Sequence, residues 1–411
     1  MSSINKPISY DFHGDIDFRV PFNKISNQDI SFYLDIDTFV GKETCGQNCN
    51  HCWFVNYEKV HKKSFSIEEG FQIYKDLKEQ DFIVYPRYVD SFAYGGKFME
   101  VYGAQHNREF RFGENSETTE TMGAGDAWTS GRPLFGKNYI DLLHTCVENG
   151  FGTISITFHG IPDKNGNLQP SNNYPIKGVF PGAKTLEVID RIKDFNLNHL
   201  PSGKQPIKIN IGITIGSHNH TLETILSYCE IFNGVGINSL RFNCFTDHGK
   251  KHPHLQLSQE QVRKFYQDIK YVHDNIPCDF QIGISEDFGT NGIDVLGLPG
   301  HVGWCRAGRQ LFAIVPSPIE KIGSVGEKIA DIVGCVNIFE PYLGYLLRVP
   351  NIDGISYRYK VCFDENAIDN FTAKRLNGEF TNGCFAGEML MDDRYHIPLV
   401  SEQAIEVLEV D

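Results

Sequence analysis

From residue 138 to residue 285 the chain switches repeatedly between two hydrophobic periods, and few architectures accept that pattern. Helical spacing in NYIDLLHTCVENG (138–150) gives way to a β-rich run, TISITFHG (153–160). GAKTLEVIDRIKDF (182–195) precedes IKINIGITIG (207–216), HTLETILSYCEIFNG (220–234) precedes SLRFNCF (239–245), and SQEQVRKFYQDIKYVHDN (258–275) precedes FQIGIS (280–285). Alternation of this kind predicts an α/β fold, a parallel sheet with helices outside it, either open and doubly wound or barrel-like. In such sheets functional residues collect at the carboxyl ends of the strands.

Upstream, ISFYLDIDTFV (30–40) alternates Phe32, Leu34 and Ile36 against Tyr33 and Asp35, the period of a strand. SIEEGFQIYKDLKEQ (66–80) opens with Ser66 and Glu69 at capping-box spacing and keeps helical periodicity through Leu77. DFIVYPRYVDSFAY (81–94) reads as a second strand ending at Gly95-Gly96, and 103–133 as a long polar loop. Past residue 300 the alternation stops: HVGWCRAGRQLFAIVPSP (301–318) restarts an apolar run, and the rest mixes Gly, Asn, Asp and aromatics. At 411 residues the chain exceeds the size at which one core stops growing. The expected division is an N-terminal extension (1–29), a main α/β domain (30–300) and a smaller C-terminal α+β unit (301–411).

Composition removes several functions. The formal net charge of −14 disfavours a phosphate backbone as partner, so no nucleic acid is expected. No apolar run approaches the roughly 20 residues that span a bilayer, so no membrane partner is expected either. MSSINKPISYDFHGDIDF lacks an apolar signal region, which predicts a cytoplasmic protein. Eleven cysteines in a reducing compartment point to buried thiols or metal ligands before disulfides.

Three of them, Cys45, Cys49 and Cys52, fall within eight residues directly after the first strand, in CGQNCNHC. Clustered thiolates are soft ligands that suit zinc or an iron–sulfur cluster. Structural zinc normally takes four ligands, and no second close pair is present to complete such a site. A [4Fe-4S] cluster held by three cysteines keeps one iron open, unlike ferredoxin clusters closed by four. A non-catalytic electron-transfer or structural metal protein would need a fourth ligand, for which His51 or His61 is placed.

The loop resembles the cluster loop of the radical S-adenosylmethionine (SAM) superfamily, C-x3-C-x-aromatic-C, with His51 in the aromatic position. The resemblance extends in order of elements over about 30 to 315, and it implies a partial (β/α)6 TIM-like barrel. It implies that Cys45, Cys49 and Cys52 hold the [4Fe-4S] cluster, whose open iron chelates SAM and whose electron releases a 5′-deoxyadenosyl radical. It also implies a reductant such as flavodoxin or ferredoxin. His51 would contact adenine through its backbone, and the aromatic run CWFVNYEKV beside the loop, with Trp53, would suit stacking on adenine or lining a groove for apolar peptide side chains. Family members end the second strand with a Gly-Gly-Glu motif for the SAM ammonium. Gly95-Gly96 fits by position, with Lys97 where the acid belongs. TSGRPLF (129–135) is the alternative, with Arg132 in that place, and Asp126 or Glu100 is the substitute acid. Thr157 and His159 lie where the family puts SAM or substrate contacts, and Arg241 and Asn243 are polar residues on an otherwise apolar strand that need partners.

Among the remaining cysteines, Cys146, Cys229, Cys244 and Cys278 read as small buried hydrophobes. Cys305, Cys335, Cys362 and Cys384 make four thiols in the C-terminal unit, the number that closes an auxiliary iron–sulfur cluster, and WCRAGRQLFAI resembles the entry to cluster-bearing extensions of the superfamily. Cys305 and Cys335 are the candidate ligands. Cys362 and Cys384 are the candidate catalytic thiols that return hydrogen to an α-carbon, as in peptide epimerases of the superfamily. The general resemblance is to peptide-modifying members acting by epimerisation, cross-linking or excision, with a small molecule (sugar, nucleoside or amino acid) as the alternative substrate. An auxiliary cluster predicts about eight irons per reconstituted chain, two clusters of four, whereas about four irons marks a single cluster.

Overall fold

The computed structural model describes residues 33–37, 49, 65–80, 82–87, 90–103, 125–163, 167–170, 174–245, 252–284, 307–308, 311–335, 341–352 and 355–376. In chain order its elements are β1 (Tyr33–Asp37), α1 (Ile67–Lys78), β2 (Ile83–Arg87), α2 (Lys97–Tyr102), β3 (Gly125–Thr129), α3 (Tyr139–Glu148) and β4 (Phe151–Phe158). There follow α4 (Gly182–Asn198), β5 (Lys208–Ile215), α5 (Leu222–Phe232), β6 (Ser239–Cys244), α6 (Gln259–Asn275) and β7 (Gln281–Ile284). Strands β8 (Leu311–Ile322), β9 (Gly326–Val333), β10 (Tyr342–Pro350) and β11 (Tyr357–Phe363) and helix α7 (Glu365–Leu376) complete the described chain.

The strands form two sheets. One is wholly parallel and runs β3-β4-β5-β6-β7; the other is mixed and runs β11-β10-β9-β8-β1-β2. The parallel sheet follows from the alternation of its residues. Ile209, Ile211, Ile213 and Ile215 of β5 are buried, as are Leu240 and Phe242 of β6 and Ile154, Ile156 and Phe158 of β4. These residues pack under the helices: Phe158 lies edge-on to Tyr228 and Phe232 of α5, at 6.2 and 5.0 Å, and Phe242 is 5.8 Å from Phe265 of α6. Capping sets the helix starts. Ser66 accepts from the Glu69 amide at 3.0 Å, Thr221 caps α5, and Ser258 and Gln261 form a reciprocal capping box on α6.

The C-terminal strands join the N-terminal ones. Strand β8 lies parallel to β1, with Tyr33 opposite Leu311 and Ile36 opposite Ile314, and β9 to β11 extend that sheet as an antiparallel meander. Two expectations change here. The predicted strand 81–94 is only Ile83–Arg87, followed by a turn at Ala93–Gly96 and helix α2. The region expected to be loop contains β3, a fifth parallel strand. The two sheets meet at residues 90–92: the Ser91 amide donates to Trp128 O at 2.8 Å, and the Trp128 amide donates to Ser91 Oγ at 3.1 Å.

Helix α1 connects β1 to β2 and also guards the far edge of the mixed sheet. Asp76 Oδ2 accepts from the Tyr359 amide of β11 at 2.8 Å, and Gln80 Nε2 donates to the Tyr359 carbonyl at 2.8 Å. Two side chains thus satisfy the backbone groups that a further strand would pair, which is one way an edge is blunted. Asp76→Ala leaves the buried Tyr359 amide unpaired and is expected to cost about 1–3 kcal/mol, read as a lower urea midpoint at unchanged slope.

Candidate functional site

The carboxyl ends of β4 and β5 are built so closely that only certain residues fit. A Cβ at Gly182 would stand 2.8 Å from the His159 carbonyl oxygen, and one at Gly160 would stand 2.8 Å from Phe158 Cζ. Glycine at both positions therefore lets the start of α4 cross directly over the end of β4. Buried Asn219 locks the end of β5: its Oδ1 accepts from the Gly216 amide at 2.8 Å, and its Nδ2 donates to the Thr214 carbonyl and to Tyr228 Oη, both at 3.1 Å. Tyr228 Oη donates in turn to the Gly160 carbonyl at 2.8 Å, which ties the two strand ends together.

This framework carries His159, Tyr174 and His218 to one place. The Tyr174 ring stands edge-on to both imidazoles, 6.1 Å from His159 and 5.7 Å from His218. Cys49 joins them, its thiol donating to the Gly178 carbonyl at 3.5 Å in the same β4–α4 connection that holds Tyr174. Burial lowers His218 to about 4, with His220 and His254 adding to the effect, so its imidazole is neutral at physiological pH. Neither of its ring nitrogens has a hydrogen-bond partner among the described residues. Burial, and after it the neighbouring Tyr228 and Cys49, pushes the Tyr174 phenol above its ordinary value, so it keeps its proton.

A second cluster stands at the end of β3. Asp90 is wholly buried and accepts four hydrogen bonds: from the Phe92 amide at 3.1 Å, Thr129 Oγ1 at 3.0 Å, the Ser130 amide at 3.0 Å and Ser130 Oγ at 2.8 Å. Gly131, at φ 84°, turns the chain close against Ile156 and Phe180. Arg191 of α4 gathers the next carbonyls, donating to Leu134, Phe135 and Gly136 at 3.1, 2.6 and 2.8 Å.

Of the two glycine segments considered for a SAM ammonium, 129–135 is the one at a parallel strand end. Gly95 and Gly96 instead lie in a turn with left-handed backbone, beyond the end of β2. A Cβ at Gly96 would meet Thr145 of α3 at 3.1 Å and Met99 at 3.0 Å, so this glycine serves helix packing. Glu100 is exposed on α2, while Asp126 lies on β3. Thr157 sits on β4 and is half-buried. Cys362 is on β11 opposite Tyr345, in the C-terminal meander, and Cys335 follows β9, partly buried against the core. Cys146, Cys229 and Cys244 are buried as expected, and Cys278 is half-buried. Cys45, His51, Cys52, Trp53, Cys305 and Cys384 lie outside the described residues. Among the described residues no group of three or more His, Cys, Asp or Glu side chains is arranged to hold a metal ion, and no helix is long and apolar enough to cross a membrane.

Sequence reasoning passed over Asp90, Tyr174, His218 and Asn219. Asp90 falls in 81–94, where the residue pattern predicts a strand. The run GSHNH just past the end of the β5 pattern was the available signal for the other strand end, since polar residues after a parallel strand are where function gathers.

Fold and site together define a mixed α/β protein with a five-stranded parallel sheet whose strand ends gather a thiol, a phenol and two imidazoles. No protein-family model and no curated protein matches the chain. Among solved structures, it is similar to Streptococcus suis SuiB bound to S-adenosylmethionine, at 13% identity and TM-score 0.44, over 85% of this chain and 65% of that one. Two others are Streptococcus suis SuiB itself (12%, 0.44, 76% and 62%) and SuiB bound to precursor peptide SuiA (13%, 0.46, 77% and 63%). The likeness is distant in sequence and in shape, and the chain spans less than two thirds of the length of these structures.

The Asp90 cluster generates a pH dependence. Burial raises this carboxyl from the ordinary 3.8 to about 6, against the lowering effect of its hydrogen bonds from Ser130, Thr129 and Phe92. Between those values the folded chain retains a proton that the unfolded chain releases. This group's contribution is therefore greatest below pH 4, declines as pH rises to about 6 and is flat above, a change of roughly 3 kcal/mol. Denaturant midpoints measured from pH 4 to 7 are expected to show that decline in the wild type and to lose it in Asp90→Asn.

Proposed function

We propose that the chain is a radical SAM enzyme. Cys45, Cys49 and Cys52 would hold a [4Fe-4S] cluster, and the observation that carries the reading is the position of Cys49. Its thiol stands, partly exposed, at the carboxyl end of a parallel sheet, against the β4–α4 connection that also carries Tyr174. Three close thiolates with one corner left open suit an iron–sulfur cluster that binds a further ligand. When bound, such a cluster supplies the electron that cleaves the sulfonium of SAM, so that hydrogen is taken from a substrate.

The chain's own residues do the positioning. The β4–α4 connection that carries Tyr174 and Gly178 sets Cys49 at the end of β4, and the neutral His218 ring faces Tyr174 at the same mouth. The turn at Ser130–Gly131–Arg132, steadied by Asp90, is the segment we assign to the SAM ammonium. The junction at residues 90–92 supports treating β1 to β6 as a partial (β/α)6 barrel, with β7 as an added strand. A peptide is the substrate class favoured, because the polar face of β4–β7 carries the amides of Asn210, Asn243 and Gln281 and several hydroxyls, groups that pair with peptide bonds. Flavodoxin or ferredoxin is the proposed reductant.

Anaerobic reconstitution is expected to load about four irons per chain, with brown absorbance and reductive cleavage of SAM. Cys49→Ala should lose the absorbance and the cleavage together. Retention of both by the variant, or zinc in place of iron in the wild type, rejects the reading.

A further inference from the structure

Strand β3 holds in place one large side chain that the fold leaves uncovered. Register pairs Trp128 with Ser155 of β4 and continues that row through Asn210 of β5 and Ser239 of β6 to Gln281 of β7. Trp128 therefore stands on the polar face of the parallel sheet, while its neighbours Ala127 and Thr129, opposite Ile154 and Ile156, are buried on the side of the helices. Among the described residues it is the one aromatic side chain of β3–β7 on that face.

Its backbone has little freedom. The amide donates to Ser91 Oγ at 3.1 Å, and the carbonyl accepts from the Ser91 amide at 2.8 Å. Directly after it, Thr129 Oγ1 and both the amide and the hydroxyl of Ser130 donate to buried Asp90 at 2.8–3.0 Å. The indole is treated differently. Trp128 is 43% exposed, and no ring or cation packs against it among the described residues. Ser155 opposite, with Thr153 and Thr157 on either side of it, puts only short side chains beside the ring, cross-strand neighbours being roughly 5 Å apart. The large rings on the helix side of this sheet are used in packing instead: Phe158 and Phe242 are inaccessible to water.

A fixed backbone that carries an uncovered indole is a preorganised contact, because tryptophan has few rotamers to lose and a large apolar surface to offer. What covers it must itself be apolar, since the polar groups of a peptide find amides and hydroxyls on the same face. An aromatic ring gains from offset or edge-on stacking beyond the area it buries.

We propose that Trp128 is a specificity-determining residue: its indole receives an apolar side chain of the substrate peptide, an aromatic ring in preference to an aliphatic one, while the amides of Asn210 and Gln281 in the same row meet the peptide main chain. The assignment rests on the peptide reading of the proposed function and on no step of the cluster chemistry.

The test is calorimetric titration of the reconstituted full chain with capped pentapeptides Gly-Gly-X-Gly-Gly in which X is Phe, Leu or Ala. The Phe peptide is expected to bind at least about tenfold more tightly than the Ala peptide, and about two- to tenfold more tightly than the Leu peptide. Trp128→Ala is expected to bring the Phe peptide down to the affinity of the Ala peptide, and Trp128→Phe to keep part of the preference. Fluorescence gives a second reading. The chain has three tryptophans, and wild-type emission minus that of Trp128→Phe isolates Trp128. That difference is expected to move to shorter wavelength with the Phe peptide and to stay in place with the Ala peptide. Equal binding of the three peptides, binding of none, a Leu peptide held more tightly than the Phe peptide, an unchanged Phe affinity in folded Trp128→Ala, or a Trp128 emission indifferent to the Phe peptide overturns the proposal. Iron content and SAM cleavage of the wild type in the same preparations separate the two readings. Discrimination without a loaded cluster rejects the proposed activity and leaves Trp128 assigned, whereas a loaded cluster without discrimination rejects this inference alone.

Discussion

Ile209, Ile211, Ile213 and Ile215 are almost wholly inaccessible to water, and all four fall on one side of a single strand. Their burial under α4, α5 and α6 commits the sheet, because a shift of one residue in register would expose every one of them and bury Asn210 and Thr214 instead. Each fully buried side chain of this size contributes about 1.5–3 kcal/mol, so the register is strongly specified. The same constraint produces the polar face of the sheet. Once one face is given to the helices, the intervening residues must all appear on the other, and in β4–β7 these are hydroxyls, amides, a lysine, an arginine and glycines.

The strand ends inherit their precision from that sheet. Asn219 and Tyr228 couple the end of β5 to the end of β4 through four hydrogen bonds of 2.8–3.1 Å. A mouth made of Cys49, His159, Tyr174 and His218 is therefore set by rigid elements on its His159 and His218 sides, with Tyr174 and Cys49 held by the connection above them. Asp90 does the corresponding work at the other side. Its carboxylate joins the segment after β2 to the turn after β3, and the four donors around it fix that turn without any residue from the turn itself supplying an acid.

Much of this was legible in residue order. The four helix–strand alternations from 138 to 285 appear within a few residues of their expected places, because each buries one face and so must keep a strict period. Capping at Ser66 and Ser258 was equally readable, since a cap is a local hydrogen bond. Strand β3 was not. It is short, follows a polar stretch, and has an exposed Trp128 beside buried Ala127, so its pattern is too weak to stand out; pairing with β4 makes it a strand. The stretch 81–94 failed for the opposite reason. It is apolar enough for a long strand, but Phe92 and Ala93 bury their side chains in the core from a turn.

By itself, then, the order of residues determined the parallel α/β organisation, the helix starts and the spacing of the three clustered thiols, all of which depend on neighbours close along the chain. Tertiary structure alone decided which residues share a site. Cys49 meets Gly178 across 129 positions, Asp90 meets Ser130 across 40, and β8 lies beside β1. No local period encodes such meetings; they arise because parallel strands bring their carboxyl ends to one edge, whatever the length of chain between them.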